Sequence, residues 1–324
     1  MKWVVYGAGA IGAVLAARLS ASGEDVTIIA RGEHLAVIRR GGLLVRSEVF
    51  GEMICRAPAT DDPSGVGPAD VVVLATKAHG LTAIAPALAP LLGEDTIVLT
   101  LQNGIPWWYF HGVGGKWEGT QLESVDPGGL IAKHITVERV IGALAYCSSS
   151  LVKPGVVDHL EGIRFPLGEL NGRRTSRIQG LAKALDAAGL KGSVRTDIRR
   201  DIWGKLMGNA PFNPISALSR ATMDEMLRFP GTRRLIIAIM EEVQAVAAAV
   251  GSETGLTIEK RVAGAEQVGP HKTSMLQDLE AGRSPELEPI VGAVVEVADK
   301  ASVPVPNLKM VYACAKLLFQ HVGR

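Results

Sequence analysis

Cysteine is scarce in this 324-residue chain, and Cys55, Cys147 and Cys314 lie far apart with no CxxC spacing. That excludes a disulfide framework and argues against a structural zinc site, leaving the three as small buried apolar side chains. The 7 histidines are scattered singly, without the HExxH pattern that sets two imidazoles on one helix face, so no metal is expected. Neither sign of charge is in excess: 34 basic and 33 acidic residues leave +1, which gives no field for nucleic acid or an anionic bilayer. No uncharged stretch is long enough to cross a membrane. The apolar run behind Lys2 has the look of an export signal, but Gly7, Gly9 and Gly12 would weaken an export helix, and a cytoplasmic location is expected.

What the chain does have begins at its first residues. Lys2-Trp3-Val4-Val5-Tyr6 reads as a buried strand, and Gly7-Ala8-Gly9-Ala10-Ile11-Gly12 follows with no gap. In a GxGxxG turn the first glycine permits the tight bend, the second lets backbone approach a pyrophosphate, and the third lets the helix lie close to the sheet. Free N–H groups and the helix dipole then make the helix start an anion site. The helix Ala13 to Ser22, the turn at Gly23 and a second strand, Asp25 to Ala30, complete the required context. Where an NAD site usually ends its second strand with Asp or Glu, this chain has Arg31. A guanidinium suits the extra 2′-phosphate of NADP, so NADP(H) is the expected cofactor.

Continuous apolar runs recur through the first half at Val4-Val5, Val26 to Ile29, Val71 to Leu74 and Thr96 to Leu99. Helical patterns at His34 to Arg40 and Leu81 to Leu92 separate them, which predicts an α/β fold with a Rossmann-type, doubly wound parallel sheet. The strand Asp70 to Lys77 would point Thr76 and Lys77 at the ligand crevice. Residues 104–138 interrupt the pattern with Pro106, Trp107, Trp108, Tyr109, Phe110 and Trp117 among Gly104, Gly112, Gly114, Gly115 and Gly119. This is either a functional loop over the crevice or a loop whose aromatics anchor it to a core. Strand signals resume at Val140 to Cys147, Gly155 to His159 and Ile163 to Pro166, followed by a helix from Arg174 to Ala188 and a short strand near Val194. Beyond Asp197 they fade, and Arg233 to Val250, Leu287 to Ala301 and Leu308 to Phe319 carry helical periodicity. Two domains are expected, a dinucleotide-binding one over 1–195 and an all-helical substrate domain over 196–324.

Three groups of residues suggest chemistry. Leu101-Gln102-Asn103-Gly104 follows a strand at the crevice, where the Asn103 amide would face the nicotinamide end or simply make a turn. In Trp203 to Pro214, Lys205 and Asn209 share a helix face, with Asn213 one turn on, although Pro211 is expected to kink the segment. An ammonium and two amides in line on an otherwise apolar helix are hard to explain as packing. Finally, Ser274 in His271 to Asp278 can donate to a carboxylate, and Glu286 follows Pro285 at a helix start, where a carboxylate also suits the dipole.

Taken together, the Gly7 to Gly12 turn, Lys77, Asn103, Lys205-x3-Asn209-x3-Asn213, Ser274-Met275-x-Gln277-Asp278 and Glu286 make the chain resemble the ketopantoate reductases over nearly its whole length. The resemblance implies NADPH-dependent reduction of a small 2-keto acid, with 2-dehydropantoate the leading substrate. It implies Lys205 as general acid, Asn209, Asn213 and Ser274 as substrate contacts, and Asn103 bridging substrate and cofactor. Glu286 would be the second catalytic residue, near both the cofactor and the lysine, with Arg31 and Lys77 on NADP. Met223 stands where the family pattern leads one to expect another substrate-binding Asn. Alternatives are a related NADP-dependent hydroxy or imino acid dehydrogenase, or a non-catalytic NADP-sensing protein. A homodimer through the helical domain and core packing are equal explanations of its apolar stripes.

Overall fold

The computed structural model describes residues 1–321, so the last three of the 196–324 segment lie outside it. The chain forms two compact units. One comprises residues 1–102, 111–118 and 129–198, and the other 103–110, 119–128 and the chain from Arg199 onward.

The first unit holds β1 (Lys2–Tyr6), β2 (Asp25–Ile29), β3 (Leu43–Ser47), β4 (Gly51–Cys55), β5 (Ala59–Thr60), β6 (Ala69–Leu74), β7 (Leu92–Thr100), β8 (Val140–Ala143), β9 (Tyr146–Lys153), β10 (Val156–Arg164), β11 (Leu167–Glu169) and β12 (Val194–Arg195). Eight of them form one sheet in the order β12-β11-β8-β7-β6-β1-β2-β5. Its strands are parallel except where β11 runs antiparallel to β8. β1 lies between β2 and β6, so the order reverses there, and a ligand crevice belongs at its C-terminal end. Trp3, Val4, Val5 and Val71 to Leu74 have no solvent exposure, as strands covered on both faces require.

A second sheet, β4-β3-β10-β9, was not expected from the sequence as a separate layer. The helix Ala10–Ala21 packs on strands of both sheets, which explains why it is apolar nearly all round and buries Gly12 to Ala17 and Leu19. The expected strand Val140 to Cys147 is divided between the sheets as β8 and β9, while Gly155 to His159 and Ile163 to Pro166 fall largely on the single strand β10. The pattern Leu81 to Leu92 is α-helical only over Leu81–Ile84 and continues as a 3₁₀ helix over Ala85–Leu91. Pro86 and Pro90 lack the N–H that an α-helix would need there.

The second unit is helical, with no strand among its described residues. Its principal helices are Ile198–Ser219, Pro230–Ala249, Ile258–Val268, Ser274–Glu280, Ala293–Ala301 and Pro306–His321, and a π-helical turn over Glu288–Gly292 precedes Ala293. The helix Ile198–Ser219 runs through both Pro211 and Pro214, so Asn213 lies on the same helix as Lys205 and Asn209. Ala210, Phe212, Ile215 and Ala217 are all buried, and burial of that kind is worth roughly 1.5–3 kcal/mol for each large side chain, enough to offset the two backbone hydrogen bonds that the prolines cannot donate.

Candidate active site

In the first unit, the Gly7 to Gly12 turn leads directly from β1 into the helix Ala10–Ala21. Gly7 has φ +105°, and a Cβ there would come 2.8 Å from Thr76 Cγ2. A Cβ on Gly12 would collide with the Gly7 carbonyl and lie 2.9 Å from Ala75 Cβ, so both glycines are needed for close packing. Gly9 differs, because nothing lies within 4 Å of its Cβ position. The helix start has no side-chain cap and no acidic residue in its first turn. These features fit a pyrophosphate: open space at Gly9 and uncapped N–H groups at the positive end of a helix dipole.

Arg31 caps the helix Gly32–Gly41 in extended conformation and is exposed. Burial pushes the Tyr6 phenol up, and the Arg31 charge partly offsets this, which puts the guanidinium within electrostatic reach of the end of β1. Lys77 follows β6 in extended conformation, at the head of the 3₁₀ turn Ala78–Gly80. Beside it, Thr76 Oγ1 is buried with no hydrogen-bond partner. Gln102 donates from Nε2 to the carbonyls of Leu74 (2.7 Å) and Thr76 (3.1 Å), fixing the C-terminal end of β6.

In the second unit, Lys205, Asn209 and Asn213 lie on the one continuous helix Ile198–Ser219 and so recur at four-residue intervals along one face. Lys205 and Asn209 are half-buried. Asn213 is 5% exposed, and its Nδ2 has no partner in the protein. An unsatisfied buried donor costs roughly 1–3 kcal/mol, a cost that packing alone does not offset. Gly208 sits in the same turn, and a Cβ there would lie 2.5 Å from Arg261 Cζ.

Asn103 opens the segment 103–110, and its Nδ2 donates to Glu286 Oε2 at 3.0 Å. Only the NH₂ end of the amide can face a carboxylate, which leaves Oδ1 as an acceptor. The contact is fixed from both sides. Ile105 N donates to Pro289 O at 2.9 Å, and Gly104, at φ +88°, lies so close to Pro289 that no Cβ could be accommodated. On the other side, Asp278 pairs with Arg283 Nε at 3.1 Å and Arg283 N donates to Asp278 O at 2.8 Å, closing the turn that leads to Glu286. Glu286 itself stands just ahead of the helical run that begins at Leu287. Ser274 is the exposed first residue of the helix Ser274–Glu280, which is capped by Thr273. The Met223 backbone N–H donates to His271 O at 3.0 Å, so Met223 lies beside the segment that leads to Ser274.

The aromatic segment is an anchor. Trp107, Trp108, Tyr109 and Phe110 are each at most 7% exposed. Trp203 Nε1 donates to Tyr109 OH at 2.5 Å, the two rings meet edge to face at 6.1 Å, and Arg199 Nε donates to Tyr109 O at 2.8 Å. Trp203 precedes Lys205 by two residues. Sequence reasoning left the role of these aromatics open and passed over Gly208, Arg261 and His34. A lone buried Trp ahead of a Lys-x3-Asn pattern was the one available signal for the first.

A dinucleotide-binding α/β unit, joined to a helical unit that carries a lysine in line with two asparagines, is the organisation of a nicotinamide-dependent oxidoreductase. Residues 3–107 match the family model described as ketopantoate reductase PanE/ApbA, and residues 197–319 match its C-terminal counterpart. A 2-dehydropantoate 2-reductase of Mesorhizobium japonicum is 46% identical over 319 residues, covering 98% of each chain. A Ralstonia solanacearum protein whose crystal structure carries a ketopantoate reductase assignment is 35% identical, with TM-score 0.94 and 98% of each chain covered. A ketopantoate reductase of Staphylococcus aureus described as dimeric is 22% identical with TM-score 0.76, covering 100% of each chain, a likeness of fold alone. The chain belongs to the ketopantoate reductase family.

Proposed function

We propose that this chain reduces 2-dehydropantoate to pantoate with NADPH. The observation that carries the reading is the line Lys205, Asn209 and Asn213 on one unbroken helix, ending in a buried amide donor without a protein acceptor. When bound, NADPH supplies the hydride for the C2 ketone. The Gly7, Ala8, Gly9, Ala10, Ile11 and Gly12 turn would hold its pyrophosphate, and Arg31 and Lys77 would provide positive charge for its phosphates.

Reduction of the ketone places charge on its oxygen, and the Lys205 ammonium donates the proton there. Asn209, Asn213 and Ser274 supply donors for the keto acid's carboxylate and oxygen atoms. Glu286 acts by holding the Asn103 amide, which leaves Asn103 Oδ1 as an acceptor for the bound substrate. Met223 supplies no donor where the family pattern leads one to expect an Asn, so substrate recognition rests on the remaining amides and Ser274.

The direct test is turnover by the purified chain with NADPH and 2-dehydropantoate, alongside Lys205→Ala. Removal of a general acid lowers kcat by roughly 10²–10⁴-fold, with NADPH affinity nearly unchanged. Full activity of Lys205→Ala would remove the lysine from its role. Tight NADPH binding without turnover on a panel of 2-keto acids would favour a sensor.

A cytoplasmic homodimer completes the proposal. No helix among the described residues is long and apolar enough to cross a membrane. On the helix Pro306–His321, Met310 and Leu317 are 61% and 58% exposed and share a face one heptad apart. Light scattering on the purified chain would read its mass directly.

A further inference from the structure

The cofactor turn is braced from the side by His34, on the helix Gly32–Gly41. Nε2 lies 2.8 Å from Ala8 O, and Nδ1 accepts the Gly155 N–H at 2.8 Å. A backbone N–H can only donate and a carbonyl can only accept. The two contacts therefore dictate a neutral imidazole with its proton on Nε2. Gly155 is built for this contact: it turns at φ +76°, and a Cβ there would be driven into Val37, on the same helix as His34. The turn between β9 and β10 thus lies against that helix closely enough to aim its N–H at the ring.

Ala8 stands between Gly7 and Gly9, and its carbonyl belongs to the peptide whose N–H is that of Gly9. In a planar trans peptide these two bonds point in opposite directions. A hydrogen bond that holds Ala8 C=O toward His34 therefore turns Gly9 N–H away from it, and Gly9 is the position in the turn whose Cβ side is open. We propose that His34 is a positioning residue for the cofactor, fixing the Ala8–Gly9 peptide plane so that the Gly9 N–H is set for a pyrophosphate oxygen before binding. The inference rests on the NADPH reading above and adds a preorganising group that touches neither substrate nor cofactor.

The test compares His34→Ala, His34→Asn and His34→Gln in the full chain. The Gln amide NH₂ reaches the place of Nε2 and can donate to Ala8 O, whereas Asn reaches only the place of Nδ1. NADPH dissociation constants from nicotinamide fluorescence should rise about tenfold for His34→Ala and His34→Asn and stay within about threefold of wild type for His34→Gln. The KM for the keto acid, and kcat at saturating NADPH, should stay within about twofold throughout. In the cofactor-free wild type, ¹⁵N spectra of the imidazole should show the neutral Nε2–H tautomer. Wild-type affinity in His34→Ala, or equal loss in His34→Gln and His34→Ala, overturns the positioning role while leaving the NADPH reading intact. Absence of NADPH binding by the wild type overturns both.

Discussion

Gly104→Ala is a severe local test of the site, since one methyl group meets backbone on the far side of the loop. Its Cβ would overlap the Pro289 carbonyl and lie 2.8 Å from Ile290 N, at a residue whose φ is +88°. Left-handed backbone costs an L-residue about 1–2 kcal/mol. Restoring a contact of about 3.5 Å requires the loop to move by roughly 1 Å. That movement stretches the Asn103–Glu286 hydrogen bond from 3.0 Å past its useful range and strains the Ile105–Pro289 bond. With a charged hydrogen bond worth about 1.5–3 kcal/mol, the total destabilisation is on the order of 2.5–5 kcal/mol, and a misplacement of about 1 Å costs roughly 10²-fold in rate.

Steady-state NADPH consumption and thermal melting read the two effects separately. The decisive arm is the double mutant with Asn103→Ala. If Gly104→Ala acts by displacing the Asn103 amide, adding it to Asn103→Ala lowers kcat/KM by less than about threefold more, because the shared interaction is already gone. Multiplicative losses, or a Gly104→Ala enzyme within threefold of wild type, would refute the reasoning.

Asn213→Leu replaces a buried amide whose Nδ2 lacks a partner; thermal stability should hold or rise by about 1 kcal/mol while kcat/KM for the keto acid falls at least tenfold, seen by melting and initial rates. For Glu169, burial alone would raise the carboxyl, but hydrogen bonds from Arg177 and Thr175 outweigh it and hold the group below the ordinary carboxylate range. A depressed folded-state value means that this stabilisation is present above the unfolded-state value and is lost as pH falls through the folded one. Arg177→Met should cost about 1–3 kcal/mol at neutral pH, where Glu169 is left charged and buried without its partner, and the difference from wild type should narrow as pH falls and the carboxyl is protonated in both, as melting across a pH series would show.

Much of this was legible from residues alone where local chemistry and tertiary need coincide. The GxGxxG turn announces itself because only glycine tolerates the approaches made at Gly7 and Gly12, and the Lys205, Asn209, Asn213 spacing survives because packing keeps one helix through two prolines. The second sheet was hidden for the opposite reason: Leu43 to Cys55 mixes buried and exposed positions along a short hairpin, and β3 finds its parallel partner β10 more than 100 residues away. His34 was invisible because both its partners are backbone atoms, to which no residue pattern points.

The aromatic segment shows how a chain poor in aromatics uses them. Asn103 lies at one end of residues 103–110, with Ile105 tied to Pro289 near Glu286, and Tyr109 near the other end is tied to Trp203, half a turn before Lys205. A strap fixed at only one end would leave the Asn103 amide free to swing relative to the lysine. Two anchors make the carboxylate, the amide and the lysine-bearing helix parts of the same packed body, so their spacing is set by buried rings instead of by loop conformation. That accounts for bulky apolar residues beside a polar cluster without requiring any of them to touch substrate, and it places the rigidity where the proton transfer proposed for Lys205 would be most sensitive to distance.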